Sequence, residues 1–288
     1  MRDGAHPRLR TLEPPGRYCL IFTEKAEKML ADLTTGASGV IVGAILGLVG
    51  GGGSILAVPL LVYMVGIASP HVAIGTGAIA VAMSALANLG LHARAGNVKW
   101  RCAIAFSMAG VAGALTGAHF AKMVDGQRLL LLFGVLMLVV GIAMLQPRKD
   151  NGVGTIRLDS ESALHLLPRL AGIGLAVGLM SGFFGIGGGF LIVPGLMLAT
   201  KMPLKNAIGT SLVSVAAFGA STAASYALSG LIDWRIAAIF VAGGLLGGLA
   251  GVALGKKLAG QKFLLNYIFA AIVIAAGLYV SVRGYMAM

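Results

Sequence analysis

Long stretches of this chain contain no aspartate, glutamate, lysine or arginine, and several of them are long enough to cross a membrane. A helix needs about 20 apolar residues to span the hydrocarbon core of a bilayer. The stretches do not alternate in polarity, as the roughly ten-residue strands of a membrane barrel do. They predict an all-α polytopic membrane protein, and six of them are residues 102–121, 129–145, 170–200, 206–232, 236–255 and 263–282.

Basic residues separate the apolar stretches and give the chain a formal net charge of +12. In a membrane protein such residues lie in loops and help to set the orientation of the spans. A soluble protein with this charge would suggest nucleic-acid binding, but no aromatic-rich basic patch is present. We therefore expect a lipid bilayer and no nucleic acid as a partner.

The sequence shows no recognisable catalytic motif. Cys19 and Cys102 stand far apart, so they indicate neither a disulfide framework nor a metal cluster. There is no HExxH motif, no aspartate pair within an apolar stretch and no compelling serine–histidine set. We expect no metal, no cofactor and no enzymatic activity.

Residues 1–30 form a polar, basic extension that contains Pro14 and Pro15. The extension lacks the apolar core of a secretory signal peptide, and we expect it to be poorly ordered or peripheral. One hypothesis is that translation starts at Met29. Intact-mass analysis of the native protein tests it, because a mass that includes residues 1–28 would rule it out.

The two halves of the sequence resemble each other, which indicates a duplication. The segment GLVGGGGSILAVP, which starts at Gly47, resembles GFFGIGGGFLIVP, which starts 135 positions later at Gly182. The two tryptophans match at an offset of 134, and each is followed by arginine. Further matches at that offset, in the same order along both halves, are Ala73–Thr76 with Ala207–Thr210, and Phe106, Gly110, Gly113, Gly117 and Lys122 with Phe240, Gly244, Gly247, Gly251 and Lys256.

The duplication predicts two homologous halves, each a glycine-broken helical segment followed by three transmembrane helices. The membrane repeats are 36–146 and 166–284, joined by a polar linker at 147–165. The broken segments are about 36–66 and 168–200. The glycines spaced along 110–117, and their copy in the second half, are typical of a close helix–helix packing face. The helices expected after the broken segments are about 71–93, 101–122, 127–146, 205–229, 235–256 and 262–283.

Broken helices at corresponding places in two halves are the best sequence indication of a transporter's binding site. Unwound backbone is tolerated inside a membrane only where protein buries it or where it lines a cavity. Helical pieces of about 14 residues span roughly 20 Å, so the breaks should lie inside the membrane. Free N–H groups and the positive end of the following helix then favour an anion. The alternative is that the glycines only permit tight packing.

The candidate site therefore combines backbone, hydroxyls and two prolines. Pro59 and Pro194 are the expected helix-breaking residues, because proline has no N–H and frees the carbonyl four positions earlier. Ser54 is placed to cap the start of a helix. The candidate substrate-binding residues are Gly51, Gly52, Gly53, Ser54, Thr76, Gly187, Gly188, Gly189, Thr210 and Ser211.

None of the ten acidic residues falls within a predicted span. A carrier of cations or protons usually keeps a carboxylate within the membrane. A cation substrate is therefore not expected. His71, His92 and His119 remain as alternative proton carriers, although a position at a span end or in packing is the simpler interpretation.

These motifs resemble the TauE/SafE family of sulfite exporters over about residues 36–284. The resemblance rests on the duplicated GxxGxGGG…P segment, on IGT at 74–76 with IGTS at 208–211, and on the Trp-Arg pairs. It implies a secondary transporter that exports sulfite or a small organosulfonate such as sulfoacetate across a bacterial inner membrane. The first copy departs from the second at Gly51 and Ser54, where the second has Ile186 and Gly189.

Two topologies remain open at this point. If each broken segment crosses once, each half has four crossings and the repeats are parallel. If each is a re-entrant hairpin, three crossings remain and the halves are inverted, and the basic residues of 94–101, 147–169, 201–205 and 256–262 gather on one side. That fits the positive-inside rule better.

The alternatives in function are a transporter of another small anion and a non-transporting membrane subunit. A homodimer is among the oligomeric states left open.

Overall fold

The fold is described from a computed structural model of the chain. Its backbone is described over 16–49, 51–145, 160–257 and 262–286. Its side chains are described over 28–48, 53–145, 166–203, 206–254 and 267–286. Within these ranges every element of regular secondary structure is helical, and the all-α prediction is confirmed.

Most of the helices follow the apolar stretches closely. A short second helix begins as 3-10 helix at Gly51–Leu56, becomes α-helical at Ala57–Pro59 and ends as π-helix at Leu60–Met64. We call these three pieces together α2. The others are α1 (Gly16–Val49), α3 (Pro70–Arg94), α4 (Trp100–Met123), α5 (Gly126–Leu145), α6 (Ser160–Phe184), α7 (Gly189–Thr200), α8 (Leu204–Leu228), α9 (Trp234–Lys257) and α10 (Lys262–Met286).

Eight of these helices are long and apolar enough to cross a membrane, whereas the apolar helices Gly53–Met64 and Gly189–Thr200 are too short. The count applies to the described part of the chain. The bounds of α3–α5 and α8–α10 lie within a few residues of those expected from the sequence. The prediction of a polytopic helical membrane protein is therefore confirmed.

The first limb of each broken segment is longer than expected. α1 begins at Gly16 rather than near residue 36, and α6 begins at Ser160 rather than near residue 168. The reason is that a helix continues past the end of its apolar run wherever polar residues can meet water. Both first limbs reach crossing length, so the expectation of short pieces of about 14 residues was wrong for them and holds only for the second pieces.

The extended α1 also changes the placement of one acidic residue. Asp32 lies in the candidate span Lys28–Leu48, so the expectation that no acid falls within a span was wrong. Asp32 pairs with Arg235 at 2.7 Å, and both side chains are well exposed at 37% and 58%. It lies one turn from the start of the span and not in its interior.

Two other acids define where helices begin. Oδ1 of Asp125 accepts the Gln127 N–H at 3.0 Å, just before α5. Oδ1 of Asp233 accepts the Ile236 N–H at 3.0 Å, just before α9. Carboxylates at helix N-termini satisfy orphan N–H groups and interact favourably with the dipole.

Two pairs of parallel helices pack so closely that their backbones are in contact. Gly43 and Gly47 of α1 lie against Gly244 and Gly248 of α9. Gly178 of α6 lies against Gly110 of α4 in the same manner, so each first limb packs on a helix of the other half. Only glycine permits such approach, since an added Cβ would overlap the opposing backbone. The predicted glycine packing faces are confirmed.

Helices at corresponding positions of the two halves pack antiparallel. In the α3–α8 pair, Gly75 near the start of α3 meets Leu231 just after α8, whereas Gly209 near the start of α8 meets Asn97 just after α3. In the α5–α10 pair, Gly134 meets Ser281 and Gly141 meets Ile274. This is the arrangement that an inverted duplication would produce, and the duplication itself stays a prediction from sequence.

The helix directions give the molecule two unlike faces. We call the basic face the one at which α3 ends and α4, α6 and α8 begin. Its described charged side chains are all basic: Arg94, Lys99, Arg101, Arg169 and Lys201. The opposite face carries both signs, and its described charged side chains are Lys28, Asp32, Lys122, Asp125, Arg128, Asp233, Arg235 and Arg283.

Candidate functional site

The chain turns back on itself at both glycine-rich breaks. A Cβ added to Gly53 would lie 2.5 Å from the backbone nitrogen of Leu46, seven residues earlier. A Cβ added to Gly188 would lie 2.8 Å from Cβ of Ser181, also seven residues earlier. In a continuous helix, residues seven apart would be about 10 Å apart along the axis. Each break is therefore the tip of a hairpin, formed by α1 with α2 and by α6 with α7.

The second limbs run back along the first. A Cβ added to Gly195 of α7 would lie 3.2 Å and 3.3 Å from the Cγ2 methyl groups of Ile173 and Val177 in α6. In the first hairpin an apolar groove of about 300 Å³ lies between α2, α1 and α10. Its lining residues include Ile41, Leu56, Leu60, Tyr63, Ile272 and Tyr279.

The tip of the second hairpin depends on glycine for its backbone geometry. Gly185, Gly187 and Gly188 have φ angles of +66°, +65° and +69°. This left-handed region costs other residues roughly 1–2 kcal/mol each. The reversal is held by a hydrogen bond of 3.2 Å from the Ile186 N–H to the Ser181 carbonyl. The glycines of GFFGIGGGF therefore make a tight turn in addition to allowing close packing.

The tip of the second hairpin lies beside the midpoints of α3 and α8. Gly187 lies against Val81 and Val215. Val81 is the twelfth of the 25 residues of α3, and Val215 is the twelfth of the 25 residues of α8. The two tips also meet, because α7 contacts the 3-10 piece of α2. The breaks thus lie together, halfway along the two helices that cross beside them.

The turn ends at the N-terminus of a regular helix. Leu191 and Ile192 both donate their N–H groups to the Gly188 carbonyl at 2.9 Å. The N–H groups of Gly189 and Phe190 precede these first intrahelical donors, so the helix itself supplies them with no acceptor. They open towards the break, where the helix dipole is positive.

Comparison with known proteins identifies the family. The family model described as "Sulfite exporter TauE/SafE" matches residues 35–280. The chain belongs to the TauE/SafE family.

Its relatives are named as membrane transporters. A probable membrane transporter protein of Xylella fastidiosa (strain Temecula1) is 47% identical over 258 residues, covering 88% of this chain and 96% of that protein. The probable membrane transporter protein YunE of Bacillus subtilis is 28% identical over 237 residues, covering 76% and 87%. No solved structure matches the chain. The protein is a multi-pass membrane transporter of the TauE/SafE family, a class that is generally not enzymatic.

The predicted glycines lie where the chain turns. Gly53, Gly187, Gly188 and Gly189 are buried at the two tips. Gly51 and Gly52 form the first residues of α2, but their surroundings lie outside the described residues.

The predicted hydroxyls are spread over three kinds of position. Ser54 is fully buried in the first tip. Oγ1 of Thr76 accepts the Asp233 N–H at 3.1 Å, and Oγ1 of Thr210 accepts the Lys99 N–H at 3.0 Å. These two threonines tie α3 and α8 to the loops before α9 and α4. Oγ of Ser211 donates to the Ile208 carbonyl of its own helix at 2.8 Å.

The prolines lie within the second limbs. Pro59 is buried and stands directly before the π-helical piece of α2. Pro194 lies inside α7. Neither can donate to the carbonyl four positions earlier, and the change of helix type after Pro59 fits that loss.

Sequence reasoning missed one residue at the tip of the second hairpin. Ser181 is completely buried and its Oγ has no hydrogen-bond partner among the described residues. A serine in an apolar helix normally bonds a carbonyl of the preceding turn, so it drew no attention in the sequence. The available signal was its position directly before Gly182, aligned with Leu46 in the first half.

Proposed function

We propose that this protein is a secondary transporter that exports a small sulfur oxyanion, either sulfite or a small organosulfonate, across the bacterial inner membrane. The anion binds between the two hairpin tips, where backbone N–H groups and hydroxyls hold it. The observation that carries the proposal is the meeting of two buried glycine tips halfway along α3 and α8. Membership of the TauE/SafE family supports it.

The chemistry at the tips suits an anion. The N-terminus of α7 presents donors and the positive end of a helix dipole, equivalent to roughly half an elementary charge. Such termini bind sulfate, phosphate and carboxylate groups in many proteins. The described acidic side chains, Asp32, Asp125 and Asp233, lie near helix starts at the opposite face and not at the tips. None of the described carboxylates therefore competes with an anion for these donors.

The two unlike faces indicate the orientation. Basic residues prefer cytoplasmic loops, so the basic face is cytoplasmic in this proposal. A membrane potential that is negative inside then favours outward movement of an anion by about 2.3 kcal/mol per charge per 100 mV. Export of a sulfur oxyanion therefore needs no coupling ion.

Transport requires the tips to become accessible in turn. Gly187, Gly188 and Gly189 are buried, so one hairpin has to move relative to its surroundings for an anion to reach them. Antiparallel packing of corresponding helices gives two equivalent ways of opening, one towards each face, as in transporters built from inverted repeats. The prolines Pro59 and Pro194 lie in the short limbs, where bending would be needed.

Purified protein in liposomes tests the proposal. Liposomes loaded with sulfite should lose it faster with protein than without, and a potential that favours anion exit should accelerate the loss. Sulfoacetate, sulfate and chloride, tested in parallel, separate a sulfur oxyanion carrier from a transporter of another small anion. Absence of flux for all of them would contradict the proposal and favour a non-transporting membrane subunit.

A further inference from the structure

One buried hydroxyl in the second hairpin, that of Ser181, has no hydrogen-bond partner in the part of the chain that the structure describes. The Ser181 side chain is 0% exposed. Other hydroxyls of the second half bond their own helix: Thr200 donates to the Leu196 carbonyl at 2.7 Å, and Ser221 donates to the Phe218 carbonyl at 2.9 Å. An unpaired buried hydroxyl destabilises a fold, so such a group calls for an explanation.

The hydroxyl lies against the start of α7. A Cβ added to Gly188 would lie 2.9 Å from Oγ of Ser181. Gly188 is the residue directly before α7, and the Gly189 and Phe190 N–H groups follow it. The hydroxyl and the helix N-terminus therefore belong to the same buried turn. The carbonyl of Ser181 is already used, since it accepts the Ile186 N–H.

Other buried hydroxyls without a described partner lie elsewhere. They are those of Ser38 in α1, Thr222 and Tyr226 in α8 and Ser281 in α10. Among the described contacts, Ser181 is the one placed against a glycine break.

The first hairpin offers no equivalent group at this position. Leu46 aligns with Ser181, and it is buried with 1% of its surface exposed. The second limb also differs, because α2 begins as a 3-10 helix whereas α7 is an α-helix of 12 residues from its first turn. The two tips are therefore chemically unlike, although their chain reversals are alike.

We infer that the oxyanion is held mainly by the second hairpin, with the Ser181 hydroxyl donating to one anion oxygen beside the Gly189 and Phe190 N–H groups. This inference rests on the proposed function and specifies its binding site. The ligand class is a small oxyanion, because its oxygens can accept the Ser181 hydroxyl and the N–H groups at the start of α7, where the helix dipole is positive. The first hairpin then covers the anion from the opposite side.

The variant Ser181→Ala, made in the full-length protein, tests the inference through two readouts with opposite signs. Without ligand, its thermal stability in detergent should equal or exceed that of the wild type, because an unpaired polar group is removed. With sulfite, its affinity should fall about 10- to 100-fold, since hydrogen bonds to charged groups are the stronger ones. A structural role for the hydroxyl predicts lower stability without ligand.

Ser221→Ala is the matched control. Ser221 is a partly buried serine of α8 whose hydroxyl is bonded to the Phe218 carbonyl of its own helix, so sulfite affinity should stay within about twofold of the wild type. Unchanged affinity in Ser181→Ala, while the wild type binds sulfite, overturns this inference and leaves the proposed function standing. If the wild type binds no sulfite, sulfonate or other oxyanion, both fall together.

Discussion

At the scale of single residues, glycine determines whether the hairpin tip can form. Gly185, Gly187 and Gly188 adopt left-handed backbone, and Gly188 also has Ser181 directly against it. Left-handed backbone and a close contact therefore both disfavour a larger residue at Gly188. Some other glycines have neither constraint, and they provide controls for substitution.

Gly188→Ala should destabilise the protein by about 2 kcal/mol or more, since left-handed backbone is unfavourable for alanine and the new methyl would meet Ser181 at 2.8 Å. Thermal unfolding in detergent measures the change. Gly172→Ala in α6 is the control, because no atom lies within 4 Å of the added Cβ and alanine favours a helix. Equal melting temperatures for the two variants would argue against a strained tip.

The sequence predicted the positions of these glycines but not their role in reversing the chain. An apolar run broken by glycine is compatible with a straight crossing and with a hairpin, because glycine permits both sets of dihedral angles.

Thr76 and Thr210 illustrate a second limit of prediction from sequence. Their hydroxyls were expected at the site, yet their oxygens accept N–H groups of Asp233 and Lys99, and no local pattern reveals partners so distant in the sequence.

At the scale of elements, each hairpin is fixed through its long limb to a helix of the other half. α6 packs on α4 through Gly174, Gly178 and Gly182, which lie against Phe106, Gly110 and Ala114. The short limbs differ, since α7 packs closely on α6 and α2 borders an apolar groove of about 300 Å³. The long limbs therefore act as the rigid part of each hairpin.

Gly178→Leu should disrupt the α4–α6 pair, because the side chain would enter the space occupied by the Gly110 backbone. Overpacking of this kind costs typically about 1–3 kcal/mol, occasionally more. Thermal unfolding in detergent, together with yield of monodisperse protein, reports the loss. Gly90→Leu in α3, where an added Cβ meets nothing within 4 Å, should be tolerated; a comparable loss there would mean that the close contact is not the cause.

Helix bounds were the most predictable feature at this scale. The spans from α3 to α5 and from α8 to α10 end where charged residues interrupt the apolar pattern. The starts of α1 and α6 were missed because helix continues into polar sequence, and apolar content alone cannot locate that end. The internal duplication stays a prediction, although the antiparallel packing of α3 with α8 and of α5 with α10 is what it implies.

At the scale of the whole molecule, the helix directions separate charge between two faces. The loop at Asn97 lies at the basic face, where it contacts Gly209 at the start of α8. Asp125 lies at the opposite face, where the next residue, Gly126, contacts Pro70 at the start of α3. The positive-inside rule places the first loop in the cytoplasm and the second outside.

Cysteine labelling in intact cells tests this orientation. In a background in which Cys19 and Cys102 are replaced by alanine, Asp125→Cys should react with a membrane-impermeant maleimide. Asn97→Cys should react only after the membrane is permeabilised. The reverse pattern would place the basic face outside and would remove the argument that the membrane potential drives anion export.

The location of the bound anion tests the central claim most directly. Selenite has the pyramidal shape and oxygen donor set of sulfite, and anomalous scattering locates its selenium in crystals of the full-length protein. We expect one anomalous peak between the two hairpin tips, within hydrogen-bond reach of Ser181 and the N-terminus of α7, and we expect sulfite to remove it by competition. Peaks confined to the basic face, or an empty turn in protein that transports sulfite, would contradict the account.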